Sequence, residues 1–443
     1  MSDATMEMAD IIEKNPLGAF QKLVMLFCTL IIIFDGFDVL AIAFAAPALS
    51  VALDIPKSEL GYIFSAGLVG MMIGALVLGP VGDKYGRRYA VIGSVFVFGL
   101  CTLLTGLIET YNELLVLRFL TGLGLGGAMP NATALMTEYV SNKHRNIAIA
   151  VIFLGMPIGG ITGGLLAGQI IPVFGWQSLF YVGGLMPLIL VPLLLLWLPE
   201  SPRFLVEHDK DNDGLLRKIA RKIDTTGVIA ENTQFAHHIE EAKEFPVNAL
   251  FLEDRRRDTL LLWMVFFFNL MVVYFLYSWI PKLLVDAGYD LSQATKTVVV
   301  LNIGGAIAPF IFSKLIKMLG TKIVLTTCFL LGAISMIAVG QLGSSLTLVM
   351  VLSFFAGFFI VGGQISLNAL SSYMYPTHIR STGVGWANGI GRAGSIFGPL
   401  LAGALVAASF GLNINFIVFG CLCFITATAC FFIKNHEKKS ESI

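Results

Sequence analysis

About twelve stretches of this chain are apolar and long enough to cross a bilayer, and this pattern limits the possible folds more than any other feature. Hydrophobic residues make up 56% of the 443 residues and charged residues 13%, whereas a soluble domain carries about 25% charged residues. The sequence therefore predicts an all-α membrane protein. We predict twelve transmembrane helices near residues 22–47, 59–81, 89–108, 113–138, 145–171, 176–198, 259–284, 293–316, 321–341, 345–374, 380–409 and 412–433.

Basic residues are distributed unevenly between the two sides of the predicted protein. Fourteen Lys and Arg lie in the terminal segments and the short even-numbered loops, whereas the odd-numbered loops carry only Lys57, Lys282 and Lys296. Cytoplasmic loops are enriched in Lys and Arg, so we predict that both termini are cytoplasmic. An even number of helices agrees with this topology. The first 21 residues carry acids and do not read as a signal peptide.

One long polar segment divides the predicted helices into two sets of six. It contains His237 and His238, which we interpret as part of a surface linker and not as metal ligands. Within it, residues 214–224 have the pattern of a short amphipathic helix. We therefore predict an N-terminal six-helix bundle at 1–198, a cytoplasmic linker at 199–258 and a C-terminal six-helix bundle at 259–443.

The two halves are related by an internal repeat. At an offset of 235 residues, Gly122 aligns with Gly357 and Gly159 aligns with Gly394. Two similar six-helix bundles, related by an axis along the membrane normal, are typical of transporters that rock between two states.

Asp35 and Asp38 lie in the middle of the first apolar run, where a carboxylate costs about 2.5–3.5 kcal/mol. Their spacing of three places both on one face of a helix. Such a face is tolerated where it lines a protein interior or a watery cavity. We therefore predict that the pair marks a transport path and that one of the two carries a proton. The alternative is a pair of aspartates that cap a helix or only pack.

Two arginines also lie within predicted helices. Arg118 could lie at the depth of Asp38 and pair with it. Arg392 lies twelve residues into its helix, which at 1.5 Å per residue is about 18 Å and close to the midplane. A guanidinium at this depth suits a carboxylate ligand held by two parallel hydrogen bonds. Arg392 either binds such a ligand or forms a structural pair with Asp35, and it could alternate between the two.

Amides inside the predicted helices are further candidates for ligand binding, because an amide without a partner in lipid is costly. We take Asn269, Gln364 and Asn388 as candidates, with Trp386 as an aromatic neighbour. For any single aromatic in these helices, Tyr274 included, packing or lipid contact is the simpler interpretation.

Several other classes of function find no support in the sequence. All six histidines fall on the predicted cytoplasmic side and all six cysteines fall in apolar runs, so we predict no metal site and no cofactor. The net charge of zero gives no indication of the excess of basic residues that is typical of nucleic-acid-binding proteins. The literal G-x-G-x-x-G at 122–127 lies inside a predicted helix, where glycines serve close helix packing and not dinucleotide binding.

The loop between the second and third predicted helices carries the most specific motif, G-P-V-G-D-K-Y-G-R-R at 79–88. Its glycines permit a tight turn and close helix approach, and Asp83 can accept hydrogen bonds that favour one closed state. An ordinary basic turn is the alternative. In the second half Lys317 replaces the acid, so we expect the corresponding interaction that favours a closed state to be lost. The predicted conformational switch comprises Gly79, Asp83, Gly86, Arg87, Arg88 and Glu138.

These motifs resemble those of a known family. The loop at 79–88 matches the G-x-x-x-D-[KR]-x-G-R-[KR] pattern of the major facilitator superfamily, and residues 199–204 resemble its P-E-S-P-R-[FWY] element. The D-G-F-D sequence at 35–38, together with Arg118, Glu138 and Arg392, resembles the aromatic acid:proton symporter family of that superfamily.

The resemblance implies the major facilitator fold, with two pseudo-symmetric six-helix bundles in a bacterial inner membrane. It implies proton-coupled uptake of a small aromatic carboxylate such as 4-hydroxybenzoate, benzoate, protocatechuate or vanillate. It also implies that Asp35 and Asp38 are essential, that Asp83 controls the conformational switch, and that Arg392 meets the carboxylate.

Two other functions remain open at this stage. A sugar or other organic-solute facilitator shares the fold and the 199–204 element, but does not need Arg392 beside Asp35 and Asp38. A membrane sensor needs a signalling domain, and the segment at 199–258 is too short and too mixed to provide one. We expect a transporter and not an enzyme, acting as a monomer in contact with lipid.

Overall fold

The computed structural model describes residues 5–6, 8–207, 213–224, 234–235, 247–252, 255–341 and 345–434. Twelve helices in this part of the chain are long and apolar enough to cross a membrane, as predicted. They are α1 (Ala19–Ala52), α2 (Leu60–Tyr85), α3 (Arg87–Thr105), α4 (Tyr111–Glu138), α5 (Asn142–Phe174), α6 (Gln177–Trp197), α7 (Arg256–Asp286), α8 (Leu291–Leu319), α9 (Thr321–Gln341), α10 (Leu346–Ala356 and Gly362–Met374, joined by a π-helical turn at Gly357–Val361), α11 (Thr377–Ala407) and α12 (Leu412–Phe432).

The remaining elements are short. Many helices run past the predicted spans, because hydropathy marks the bilayer core whereas the helix continues into the polar boundary. The one departure from an all-α fold in the described residues is a parallel pair of two-residue strands. These elements are helices Met8–Lys14, Pro202–Glu207 and Asp213–Ile223, 3₁₀ turns Lys57–Glu59 and Val247–Phe251, and strands Thr5–Met6 and Gln234–Phe235.

The repeat in the sequence extends to the packing of the helices. A β-carbon added at Gly122 on α4 would lie 1.9 Å from the Gly67 carbonyl oxygen on α2. Its repeat partner Gly357 on α10 would meet the Leu301 carbonyl oxygen on α8 at 2.0 Å. Both positions therefore exclude any side chain, and the glycine motif at 122–127 serves helix packing, as predicted.

The two bundles meet toward one side of the membrane. Because the described helices cross an even number of times, the start of α1 and the end of α12 lie at one face, here called the terminal face, and the opposite face is the distal face. Across the bundles, the Ser65 hydroxyl of α2 donates to the Ile396 carbonyl of α11 at 2.8 Å. Lys57 pairs with Asp286 at 3.0 Å near the distal ends of α2 and α7. These contacts close the distal side.

The predicted amphipathic helix at 214–224 is present as Asp213–Ile223. Leu216, Ile219 and Ile223 are buried against the N-terminal bundle, whereas Leu215 is exposed. The Lys222 ammonium lies 5.0 Å from the centre of the Phe20 ring at the start of α1. This part of the linker therefore packs on protein. His237 and His238 lie outside the described residues.

Candidate functional site

Both carboxylates of the first helix lie deep inside the protein. Asp35 and Asp38 are each 1% exposed, and α1 is continuous from Ala19 to Ala52 around them. Neither residue is near an end of the helix, so the capping alternative is wrong for both. The two side chains differ completely, however, in the groups that surround them.

Asp38 has a full set of partners. The Thr102 hydroxyl on α3 donates to its Oδ1 at 2.5 Å, and Arg118 Nη1 on α4 donates to its Oδ2 at 3.4 Å. Arg118 also donates to the Thr105 hydroxyl at 3.3 Å and lies over the Phe180 ring. The predicted Asp38–Arg118 pair is thus present, buried and held by hydrogen bonds, as a stable buried ion pair requires.

Asp35 has no such partners. Among the described residues, neither of its carboxylate oxygens accepts a hydrogen bond, although both are buried. The charged side chains that act on it are Arg392, which attracts it, and Asp38, which repels it. Burying a charged carboxylate without a hydrogen-bonded partner is costly, so this environment favours the neutral, protonated acid.

Arg392 reaches this region from α11 in the other bundle. In the described part of the chain it forms no ion pair, so the structural pair with Asp35 is not closed here. Its guanidinium is within electrostatic range of both Asp35 and the Tyr274 phenol on α7. Arg392 therefore brings N–H donors to this region that a carboxylate could use.

The predicted amides form two contacts in the C-terminal bundle. Asn269 on α7 donates to Gln364 on α10 at 2.6 Å. Gln364 lies three residues after the end of the π-helical turn at Gly357–Val361, a feature frequent at functional sites. Asn388 on α11 donates to Asn368 on α10 at 3.2 Å.

Trp386 does not join these amides. It is 43% exposed, and its ring stacks on Trp263 with centres 5.9 Å apart. Tyr274, by contrast, is almost fully buried and lies within electrostatic range of Arg392. Sequence reasoning treats both as ordinary in-span aromatics, because periodicity alone does not reveal which one faces a charge.

A small cavity lies between α1, α2, α4 and α7, next to the Asp38–Arg118 pair. Its volume is about 30 Å³, which is room for about two water molecules. The polar residues that line it are Asp38, Arg118, Thr121, Tyr274 and Ser278.

The predicted switch residues form a second cluster at the terminal face. Arg87 pairs with Asp83 at 3.1 Å and with Glu138 at 3.1 Å. Gly86 joins α2 to α3 with φ of +110°, a conformation that favours glycine. Gly79 departs from the prediction of close helix approach, since a β-carbon there would meet nothing within 4 Å.

Sequence reasoning misses that the 199–204 element completes this cluster. Glu200 accepts hydrogen bonds from the backbone N–H groups of Arg88 at 2.9 Å and Ser201 at 2.8 Å. The Ser201 hydroxyl donates to Glu138, and the Tyr139 hydroxyl donates to the Glu200 carbonyl at 2.5 Å. Burial, with smaller contributions from Glu138 and Glu200, raises the pKa of Tyr139 well above its usual range, so the phenol stays a neutral donor.

The second half keeps the shape of this turn without its acid. Gly320 ends α8 with φ of +83°, as Gly86 ends α2, but Lys317 stands where the first half has Asp83.

Comparison with known proteins agrees with this architecture. The sequence pattern of the Major Facilitator Superfamily matches residues 26–322 and 297–443. The gallate transporter of Pseudomonas putida is 37% identical to this chain over 428 residues, which is 96% of this chain and 95% of that protein. The 4-hydroxybenzoate transporter PcaK of the same organism is 36% identical over 416 residues, covering 93% and 91% of the two chains.

Solved structures of the same fold are more distant in sequence. The xylose transporter XylE from E. coli, in its inward open conformation, superimposes with a TM-score of 0.74 at 18% identity. The match covers 95% of this chain and 99% of that one, and it bears on the fold alone. With twelve membrane helices in two related bundles and a matching sequence pattern over most of its length, the chain belongs to the major facilitator superfamily of membrane transporters.

Proposed function

We propose that this protein carries a small aromatic carboxylate into a bacterial cell together with a proton. One observation carries the proposal: among the described residues Asp35 is a buried carboxylate without a hydrogen-bond partner, and the positive charge that acts on it is that of Arg392, which forms no ion pair in this part of the chain. The membrane is the bacterial inner membrane and the terminal face is cytoplasmic, which is supported by the excess of Lys and Arg on that face.

Arg392 is the group that binds the carboxylate of the substrate. Its planar guanidinium can hold a carboxylate with two parallel hydrogen bonds. Asn269 and Gln364 supply amide groups for ring hydroxyls. The relatives named for gallate and 4-hydroxybenzoate, which are both hydroxylated benzoates, support this class of substrate.

Asp35 is the group that carries the proton. Asp38 stays in its ion pair with Arg118. When Asp35 is protonated, the site can accept an anion next to it without repulsion between two negative charges. A proton that enters with the anion also cancels its charge. Without it, import against an inside-negative potential costs roughly 2.3 kcal/mol per 100 mV.

The two bundles, 1–198 and 259–443, move against each other as rigid units joined by the linker. The Lys57–Asp286 pair and the Ser65–Ile396 hydrogen bond hold the distal side closed in the present state. The cluster of Gly79, Asp83, Gly86, Arg87, Arg88 and Glu138 controls the terminal side. The candidate site lies within one chain, so a monomer surrounded by lipid is the transport unit.

Radiolabelled uptake in intact cells tests the proposal. Cells that express the protein are given benzoate, 4-hydroxybenzoate, protocatechuate, gallate, vanillate, muconate or glucose, with and without a protonophore, and cells with an empty vector provide the baseline. We expect saturable accumulation of at least one aromatic acid that the protonophore abolishes. Accumulation of glucose alone would favour the sugar facilitator, and aromatic uptake that is insensitive to the protonophore would remove proton coupling.

A further inference from the structure

One face of α11 is directed at the N-terminal bundle. A β-carbon added at Gly403 would lie 3.2 Å from the Gly61 Cα of α2, and one added at Gly61 would lie 2.8 Å from the Pro399 carbonyl oxygen. Toward the terminal face, Arg392 precedes Pro399 by seven residues and Asn388 precedes Arg392 by four. Residues at these spacings share one face of a helix.

This face leaves its contact with α2 on the terminal side. Pro399 and Gly403 are buried, whereas Arg392 and Asn388 are half-buried. The two polar side chains therefore lie in a cleft between the bundles, and the contacts at the distal end of α11 close that cleft on one side.

The amide of Asn388 has a fixed orientation in this cleft. Its Nδ2 donates to the Val384 carbonyl at 2.9 Å and to Asn368 Oδ1 on α10 at 3.2 Å. A backbone carbonyl only accepts, so the amide nitrogen and not the oxygen faces Val384. Both N–H groups are then in use, and Asn388 Oδ1 accepts no hydrogen bond from the described residues. Asn388 therefore provides an acceptor and no further donor.

Arg392 provides the complementary groups one helical turn away. Its guanidinium has N–H donors and no acceptor, and it forms no ion pair in the described part of the chain. Four residues of helix correspond to a rise of about 6 Å, which is close to the length of a benzene ring with a carboxylate at one end and a hydroxyl at the other. The spacing of Arg392 and Asn388 thus matches the two ends of such a molecule.

We infer that Asn388 is a specificity residue that accepts a hydrogen bond from a ring hydroxyl para to the carboxylate that Arg392 binds. The ligand then lies along α11, with its carboxylate toward the distal side and its hydroxyl toward the terminal face. A site that bonds a hydroxyl of the substrate discriminates against analogues that lack it. The inference rests on the proposed function, because Arg392 must bind the carboxylate.

A series of para-substituted benzoates tests this role in the wild-type protein. Each compound displaces radiolabelled benzoate from purified protein in detergent. 4-Hydroxybenzoate and 4-aminobenzoate carry a donor at the para position, whereas benzoate and 4-methoxybenzoate do not. We expect the two donors to bind about threefold to tenfold more tightly than the other two. Equal affinity for 4-hydroxybenzoate and 4-methoxybenzoate would overturn the inference.

Asn388→Leu removes the acceptor with little change of side-chain volume. We expect its affinity for 4-hydroxybenzoate to fall to that for benzoate, while its affinity for benzoate stays within about twofold of wild type. A merely structural role would weaken binding of both acids equally, and that result would overturn the inference. Asn388→Ala repeats the test with a smaller side chain, so a local clash of leucine does not decide the result.

Thr428→Val is the matched control for loss of a polar group inside a membrane helix. Thr428 is exposed on α12, and its hydroxyl donates to the Phe424 carbonyl of the same helix at 2.8 Å. The variant is expected to keep the wild-type preference for 4-hydroxybenzoate over benzoate.

Failure of this inference differs from failure of the proposed function. Wild-type protein that binds none of the aromatic acids contradicts the proposed function before any variant is compared. Wild-type protein that binds benzoate, with a preference for 4-hydroxybenzoate that survives in Asn388→Leu and Asn388→Ala, contradicts only the role of Asn388.

Discussion

Asp35 and Asp38 lie one helical turn apart on the same helix and are equally buried, yet their surroundings are opposite. Asp38 receives hydrogen bonds from Thr102 and Arg118, whereas Asp35 receives none in the described part of the chain. Burial and position in the sequence therefore do not distinguish the two residues. Their partners do, and these come from helices distant in the sequence.

The difference in their surroundings indicates that Asp35 and Asp38, although they belong to one D-G-F-D motif, have different roles. A carboxylate in a closed ion pair keeps its charge, because its neutral form would leave a buried arginine unpaired. A carboxylate without partners changes its protonation state at little structural cost. On this basis we propose that Asp38 is the fixed partner of Arg118 and that Asp35 carries the transported proton. Asp38→Asn and Asp35→Asn test this assignment, and two further variants test the ligand site and the switch.

Asp38→Asn is expected to have the largest effect on stability. It leaves Arg118 as a buried charge without its counterion, which costs about 3–5 kcal/mol. Unfolding of the purified protein in detergent measures the loss. The double variant Asp38→Asn with Arg118→Met removes both charges and is expected to recover most of the stability. A single variant as stable as the wild type would show that the pair is not a closed structural unit.

Asp35→Asn is expected to abolish uphill accumulation while the protein stays folded. The carboxylate accepts no hydrogen bond from the described residues, so the free energy of unfolding should stay within about 1 kcal/mol of wild type. Exchange of labelled for unlabelled substrate, which requires no net proton movement, should continue. Asp54→Asn, in the exposed turn after α1, is the matched control and should accumulate substrate normally. Protonophore-sensitive accumulation by Asp35→Asn would refute the assignment.

Arg392→Lys is expected to weaken binding of the aromatic acid about tenfold or more, since one charge-assisted hydrogen bond contributes about 1.5–3 kcal/mol. Lysine keeps the positive charge, so the loss of affinity measures the contribution of the two parallel guanidinium hydrogen bonds and not that of the charge. Binding of benzoate and of its uncharged amide to purified protein separates the two contributions. Wild-type affinity for the acid would remove Arg392 from the ligand site.

Asp83→Asn is expected to have the smallest effect and to leave the contrast between Asp35 and Asp38 untouched. Its pair with Arg87 is exposed, and such pairs contribute about 0.2–1 kcal/mol, equivalent to a slowing of at most about fivefold. Turnover should fall while substrate affinity stays constant. Loss of affinity at a normal turnover rate would contradict a role in the switch.

Much of the fold and part of the site follow from the sequence. The twelve helices come from hydropathy, and the paired bundles come from the repeat of Gly122 at Gly357. The Asp38–Arg118 pair is predictable because both residues lie at a similar depth in their helices.

Contacts that depend on helix rotation and on long-range packing are not predictable in this way. The depth of Asp35 in its helix does not reveal that its carboxylate has no hydrogen-bond partner among the described residues. The contact between Glu200 and the N–H of Arg88 joins residues 112 positions apart, which no local pattern reveals. The π-helical turn before Gln364 likewise has no clear signal in hydropathy.

Proton uptake on substrate binding tests the central claim most directly. Purified protein in weakly buffered detergent solution receives 4-hydroxybenzoate at a series of pH values that extends to those at which Asp35 of the free protein is ionised, and a pH-sensitive dye reports protons taken from the solution. The account predicts uptake by the wild type and by the folded fraction of Asp38→Asn, and none by Asp35→Asn at a substrate concentration that saturates each protein. Wild-type proton uptake by Asp35→Asn, or its loss in Asp38→Asn alone, would contradict the account.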